Sequence, residues 1–145
     1  MDKRYTSYCG LYCPDCIPSK KKLFSTIKEL ESLLEELQVA KYVEIKSRKN
    51  PIFKDYTGFE DVLHEIGKLE SVVPCREGCK PNCSIRKCVL SKKYEGCWEC
   101  NKYGICEMLE PLKGIHPCLE YHLELIRKTG PEEWSDKRKR HYYWE

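Results

Sequence analysis

Cysteine is the residue type in this sequence with the clearest chemistry. The chain has 145 residues and 11 cysteines, several of which are separated by only two, three or four positions. Thiolates gathered at such short spacings are ligands for zinc and for iron. Ten of the cysteines are therefore candidate metal ligands: Cys9, Cys13, Cys16, Cys75, Cys79, Cys83, Cys88, Cys97, Cys100 and Cys106.

Two Cys-x-x-Cys pairs are the strongest part of this pattern. They are Cys13 with Cys16 and Cys97 with Cys100. A tight turn across such a pair directs both sulfurs at one ion and leaves backbone N–H groups pointing at the sulfurs. Because tetrahedral zinc takes four ligands, the sequence predicts about two structural zinc sites of the four-cysteine type.

The spacing leaves open which cysteines share a site. One partition joins Cys9, Cys13 and Cys16 to either Cys75 or Cys79, which would hold the cysteine-free segment between the two ends. The second site would then contain Cys83, Cys88, Cys97 and Cys100. Cys118 and His122 share a helix face and could form a further pair, but we expect a core thiol and a partly exposed imidazole. His116 could also be a ligand, but no Cys-x-x-Cys turn surrounds it.

Other uses of the cysteines fit less well. Iron–sulfur clusters use the same thiolates at similar spacings, so iron is the alternative to zinc. The order Cys9, Cys13, Cys16 also matches the radical S-adenosylmethionine pattern, but the chain lacks the alternating strands and helices of that barrel. Redox dithiols would need a strand–turn–helix context around a Cys-x-x-Cys pair. Disulfides are disfavoured because no signal peptide is recognisable and an odd number of cysteines cannot pair completely.

Composition restricts the partners and the location. Each tetrathiolate zinc site carries a net charge of about −2, so two sites would turn the formal charge of +3 into about −1. A generally basic surface for nucleic acid is therefore not expected. No apolar run is long enough to span a bilayer, so we predict a cytoplasmic protein without membrane contact. The partner is unknown; another protein is one possibility.

The C-terminal segment 131–145 offers weak support for nucleic-acid binding. Four cations, Lys137 to Arg140, precede the aromatic run His141 to Trp144. Such a segment can neutralise phosphates and stack on bases, but we favour aromatic side chains docked on the protein with solvated cations. Neither a nucleophile with a base nor an acid–base pair stands out, so the sequence predicts no catalytic residues and leans against an enzyme.

Helices must position the thiols. Leu23, Ile27, Leu30, Leu34 and Leu37 recur at steps of three and four, which predicts an amphipathic helix of about twenty residues. Asn50-Pro51 interrupts the helical pattern. Thr57 to Glu60 resembles a capping box, and the apolar positions after it predict a second helix that packs on the first. Shorter helices are predicted from Ser84 to Lys93 and from Pro117 to Lys128.

These elements predict a mainly α fold stapled by metal. A helical hairpin packs beside a cysteine-rich, zinc-type module, and one further helix follows near the C-terminus. We expect one domain, 1–145, in which the helical insertion 17–74 separates the N-terminal cysteines from the cysteine-rich region 75–118. A mean hydropathy of −0.65 gives a thin core, so metal would supply much of the folding free energy.

Five cysteine blocks in a fixed order resemble a known family. The blocks are Cys9-Gly10-Leu11-Tyr12-Cys13 with Cys16, Gly78-Cys79, Cys83-Ser84-Ile85-Arg86-Lys87-Cys88, Cys97-Trp98-Glu99-Cys100, and Cys106 with Leu109. They are similar to those of the cysteine-rich domain-of-unknown-function family 3795, over most of the chain. The resemblance implies a small cytoplasmic protein whose cysteines bind metal, without a known activity. It also implies that Trp134 anchors the tail. Ile105 departs from the family, which often has proline there.

Overall fold

The computed structural model describes residues 2–145 and is mainly α-helical, as predicted. Its six α-helices are α1 (Lys21–Glu36), α2 (Val39–Lys46), α3 (Tyr56–Gly67), α4 (Ser84–Ser91), α5 (Glu110–Ile115) and α6 (Leu119–Thr129). Short 3-10 turns join them, and residues 2–145 contain no β-strand, only an isolated antiparallel bridge between Thr6 and Tyr12. None of the helices in this range is both long enough and apolar enough to cross a membrane.

The chain divides into two compact units. One, which we call the helical unit, is Lys20–Glu70. The other, the cysteine unit, is the chain up to Ser19 together with Ser71–Glu145, and it carries all 11 cysteines. Within the cysteine unit, the Ser71 N–H donates to the Pro18 carbonyl at 2.8 Å, so the two ends of the cysteine-free segment meet.

The helical unit contains α1, α2 and α3, and α1 contacts both of the others. The packing of the second predicted helix on the first is therefore confirmed. The predicted twenty-residue helix is shorter, because Gln38 adopts a left-handed φ of 53° and separates α1 from α2. The capping box is wrong: α3 begins at Tyr56, so Thr57 lies inside the helix, and no side chain caps its N-terminus. Asn50 instead caps the 3-10 turn that starts at Pro51.

The core of the cysteine unit is formed by helices and by two tryptophans. Its buried aliphatic and aromatic members are Ile85, Val89, Trp98, Leu109, Leu119, Leu123, Ile126 and Trp134. The helix predicted from Ser84 and the one predicted before Gly130 are present as α4 and α6, and α6 presents its buried face to this core. Helix α5 was not predicted, since six residues around a proline are too few for a periodic pattern.

The C-terminal segment is docked on the cysteine unit rather than extended into solvent. Trp134 is fully buried. Arg138 pairs with both carboxylate oxygens of Asp15, at 2.5 and 3.0 Å. The Tyr142 hydroxyl accepts the N–H of Ile17 at 2.8 Å. The segment therefore closes over the N-terminal cysteines.

Candidate metal centre

Four cysteines of the cysteine unit line one cavity of about 210 Å³. We call Cys88, Cys97, Cys100 and Cys106 the cavity group. Cys88 lies on α4, Cys97 and Cys100 flank the turn of one Cys-x-x-Cys pair, and Cys106 follows the 3-10 turn Tyr103–Ile105. Three separate elements thus bring four thiols to the same space.

Trp98 fixes the turn that carries two of these thiols. Its ring is 4% exposed and lies over Gly96, where a Cβ atom would come within 2.1 Å of the ring. The Cys100 N–H donates to the Cys97 carbonyl at 3.0 Å, which closes the turn, and the Cys97 N–H donates to the Tyr8 carbonyl at 2.8 Å. The Cys97–Cys100 turn is therefore held by the packing of Trp98 on one side and by a hydrogen bond to the N-terminal segment on the other.

Arg127 of α6 holds the same turn through its backbone carbonyls. Its Nε donates to the Trp98 carbonyl at 2.7 Å and one terminal nitrogen donates to the Cys100 carbonyl at 3.1 Å. On another side, the Arg76 guanidinium lies 5.6 Å from the centroid of the Trp98 ring. Both cations sit close to a turn that would carry negative thiolates, so their charge favours the metal-bound form.

A second set of thiols meets at the N-terminal end of the cysteine unit. The Cys75 N–H donates to the Cys13 sulfur at 3.5 Å. The thiols of Cys16, Cys75 and Cys79 are the electrostatic neighbours of Cys13. We call Cys13, Cys16, Cys75 and Cys79 the N-terminal group. The backbone N–H to sulfur contact is of the kind that orients metal-binding thiolates.

Cys9 lies between the two groups, and Cys83 lies beside Cys9 and Cys75. The Cys9 sulfur is 3.1 Å from the Ser7 hydroxyl oxygen, and its charged neighbours are Cys75 and Cys83. Cys97 in turn is an electrostatic neighbour of Cys9. Cys9 could therefore extend either group, and Cys83 could extend the N-terminal group.

Burial opposes the ionisation of four of the thiols, those of Cys9, Cys13, Cys75 and Cys97, by raising their pKa. It raises the pKa of Cys9 and of Cys97 to about 12 and that of Cys13 to about 11, and neighbouring thiolates add to the effect. Burial also raises the pKa of Cys75. At neutral pH several thiolates cannot coexist here without a multivalent cation to balance them. Metal binding to either group must therefore release protons.

The donor set fits zinc or iron in its chemistry, since both bind thiolates. The distances between the sulfur atoms help to distinguish a zinc site from an iron site. A tetrahedral zinc site holds its sulfurs about 3.8 Å apart, because each Zn–S bond is about 2.3 Å long. Across residues 2–145, no three His, Cys, Asp or Glu side chains converge closely enough to hold a single ion. The thiols of the cavity group instead lie in the wall of a cavity that is larger than one ion and partly open to solvent at Ile105, which is 81% exposed.

The grouping differs from the partition considered for the sequence. Cys106 occupies the place expected for Cys83 beside Cys88, Cys97 and Cys100. Cys83 is the N-cap residue of α4, with an extended backbone, and does not line the cavity. Cys106 is brought back by the turn before it. The spacing of the cysteines along the chain gave no indication that Cys106 would join this group.

The family scan matches residues 5–111 to the model described as Protein of unknown function (DUF3795). The chain belongs to this family. The match includes all ten candidate ligands, from Cys9 to Cys106, and ends within α5. No curated protein and no solved structure matches the chain.

Three histidines of this DUF3795 protein are buried outside the matched region. His122 is 2% exposed, which corrects the expected partly exposed imidazole, because α6 turns this position into the core. Its Nε2 accepts the Lys139 N–H at 3.1 Å, whereas its Nδ1 is buried without a partner. His116 Nδ1 lies 2.6 Å from the His141 carbonyl, and the His141 Nε2 is also unpartnered. Burial lowers the pKa of both His122 and His141 to about 4.

Tyr142 is a contact to the N-terminal group that the sequence did not reveal. Its hydroxyl donates to the Cys16 sulfur at 3.8 Å while it accepts the Ile17 N–H. Burial raises its pKa to about 12, so the hydroxyl remains a donor. Only the docked tail brings these residues together, and no spacing rule could have predicted the contact.

The basic C-terminal segment of the DUF3795 chain is largely engaged by the protein. Arg138 binds Asp15, the Lys139 ammonium lies 4.1 Å from the Tyr121 ring centroid, and Arg140 contacts the Tyr143 carbonyl. The Trp144 ring stacks on Tyr142 with 4.4 Å between centroids. The geometry favours the docked interpretation of this segment over nucleic-acid binding.

Proposed function

We propose that this DUF3795 protein is a thiolate metal-binding protein whose cysteine unit folds around two metal centres, one in the N-terminal group and one in the cavity group. The single observation that supports the proposal most is the cavity itself. Four thiols from three elements line it, and ordinary apolar cores do not gather cysteines in this way.

A structural role for the metal follows from the thin core. The buried aliphatic and aromatic side chains of the cysteine unit are few, and 3-10 turns rather than long helices connect its parts. A structural zinc ion contributes on the order of 10–16 kcal/mol of apparent folding free energy in small modules. We propose zinc for the N-terminal group, whose thiols would draw together when the ion binds, because the Cys-x-x-Cys turn and the Cys75 N–H to sulfur contact resemble those of a zinc knuckle.

Metal analysis of the full chain tests the proposal. The protein is purified without oxygen, and the metal content and the free thiols are measured before and after chelation. We expect bound metal that a chelator removes while it frees thiols. Cys13→Ser and Cys106→Ser should each lose one centre and keep the other. Cys118→Ser is the matched control, since Cys118 precedes α6 and does not line the cavity. A folded, metal-free chain with all thiols reactive would contradict the proposal, as would disulfides between the candidate ligands.

A further inference from the structure

We propose that the cavity group holds an iron–sulfur cluster of the [4Fe–4S] type rather than a single zinc ion, an inference that rests on the proposed metal-binding function. Each of its four irons would bind one thiolate, from Cys88, Cys97, Cys100 and Cys106 respectively. The space between the thiols, its walls and the rigidity of the elements that carry them support this assignment.

The first support is size. The cavity of about 210 Å³ is about seven times the roughly 30 Å³ that one water molecule occupies in the liquid. A zinc ion needs no such space, since its four sulfurs close around it at about 3.8 Å from one another. A cuboidal cluster, in contrast, holds its cysteine sulfurs apart on its four corners. The cavity therefore matches a polynuclear centre.

The second support is the rigidity of the thiol positions. The Cys97–Cys100 turn is fixed by buried Trp98 and by Arg127, and Cys88 is next to Val89, which is 3% exposed in the core. Closing these thiols around one ion would require α4 and the turn to move together. Packed elements resist such a shift, because their contacts interdigitate.

The third support is the chemistry of the cavity wall. Apart from the thiols, the wall is formed by apolar and aromatic side chains and two lysines, Lys92 and Lys102, and it contains no carboxylate. The buried apolar side chains of the wall, Val89 and Leu109, limit the access of water to a cluster on that side and so adjust its potential, whereas the side at Ile105 is open to solvent. Lys92 and Lys102 offset the net negative charge of a cluster with four thiolates.

The experiment uses the full chain, produced in iron-supplemented cells and purified without oxygen. Iron, zinc and acid-labile sulfide are measured per chain, together with visible absorption and electron paramagnetic resonance after reduction with dithionite. We expect a brown protein with iron and sulfide in equal amounts. Cys106→Ser and Cys100→Ser should each lose that iron, the sulfide and the resonance signal. Cys118→Ser should retain all three, and circular dichroism checks that each variant is folded.

The alternative outcomes separate this inference from the proposed function. A colourless protein that holds zinc, and loses part of it in Cys106→Ser, would leave the metal-binding function intact and overturn the cluster. Iron and sulfide that persist in both cavity variants but disappear in Cys16→Ser would also overturn it, since the cluster would belong to the N-terminal group. A folded chain without metal of any kind would reject both ideas. If Cys106→Ser does not fold, Cys100→Ser decides, because Cys106 packs against the buried core and Cys100 is not among the residues that do so.

Discussion

The indole Nε1 of Trp134 donates a hydrogen bond of 2.8 Å to the hydroxyl of Thr6, 128 positions earlier in the chain. The same hydroxyl donates to the Pro131 carbonyl at 2.7 Å. Thr6 is 2% exposed and Trp134 is fully buried, so one oxygen satisfies two polar groups that water does not reach. This relay joins the two ends of the cysteine unit.

Thr6→Val should destabilise the protein strongly. The change keeps the side-chain volume but leaves the indole N–H and the Pro131 carbonyl without a partner, and each orphaned group costs about 1–3 kcal/mol. We expect a loss of about 2–4 kcal/mol, measured by urea denaturation of the metal-loaded protein. Thr26→Val on exposed α1 is the control and should change stability by less than about 0.5 kcal/mol. Equal effects of the two changes would contradict the relay.

Arg127→Lys should weaken metal binding by the cavity group. Lysine keeps the charge but cannot donate to the Trp98 and Cys100 carbonyls together, so the turn loses its orientation. Changes of this kind outside the ligands cost about 10–100-fold in metal affinity. Chelator competition with each variant measures the effect. Arg140→Lys, with a single exposed contact of 3.4 Å, should match the unchanged protein; if it weakens binding as much, the orientation argument fails.

Tyr142→Phe should act on the other centre. It removes a hydroxyl that contacts the Cys16 sulfur and the Ile17 N–H, so the N-terminal group should release its metal up to about tenfold faster or bind it about tenfold more weakly. The cavity group should be unaffected. Tyr143→Phe, at a residue 59% exposed, is the matched control. Loss of metal from the cavity group instead would show that Tyr142 acts through the fold and not through Cys16.

Acid should destabilise the cysteine unit through its buried histidines. Burial depresses the pKa of His122 and His141 from 6.5 to about 4. Between these two pH values, the unfolded chain therefore binds protons at both histidines that the folded chain does not bind. Their contribution is complete above pH 6.5 and is lost as pH falls from there toward about 4. His122→Gln should flatten the decline between about pH 7 and about pH 5, measured by unfolding at each pH. Thr26→Val, which changes an exposed residue that does not titrate, should leave the slope unchanged.

The sequence predicted the elements whose side chains repeat with helical spacing. Apolar positions at helical spacing were sufficient for α1 and α3, whereas α6 was predicted from the basic residues of its last turn and from Gly130-Pro131 after it. Periodicity failed at the break after Glu36, because the left-handed Gln38 has no marker such as glycine or proline. The two metal sites expected from the sequence stay a prediction, and the spacing did not indicate that Cys106 lines a cavity with Cys88, Cys97 and Cys100.

Contacts between distant parts of the chain account for what could not be predicted. Cys106 joins the cavity group through a turn that spacing does not specify, and Tyr142 reaches Cys16 only because the tail is docked. The buried His122 has the same origin, since its face of α6 is covered by the Lys139 backbone and the Trp134 ring. Single-sequence patterns report local periodicity and say little about such pairings.

The hydrogen bond between Ser71 and Pro18 places the exit and the return of a 51-residue excursion side by side. A loop whose ends already meet adds little to the entropy of closure when it grows or shrinks. The thiol framework therefore does not constrain the length of the chain inserted at this point. The junction is a natural place to replace the three helices by a short turn, or to graft another peptide, without changing any metal ligand.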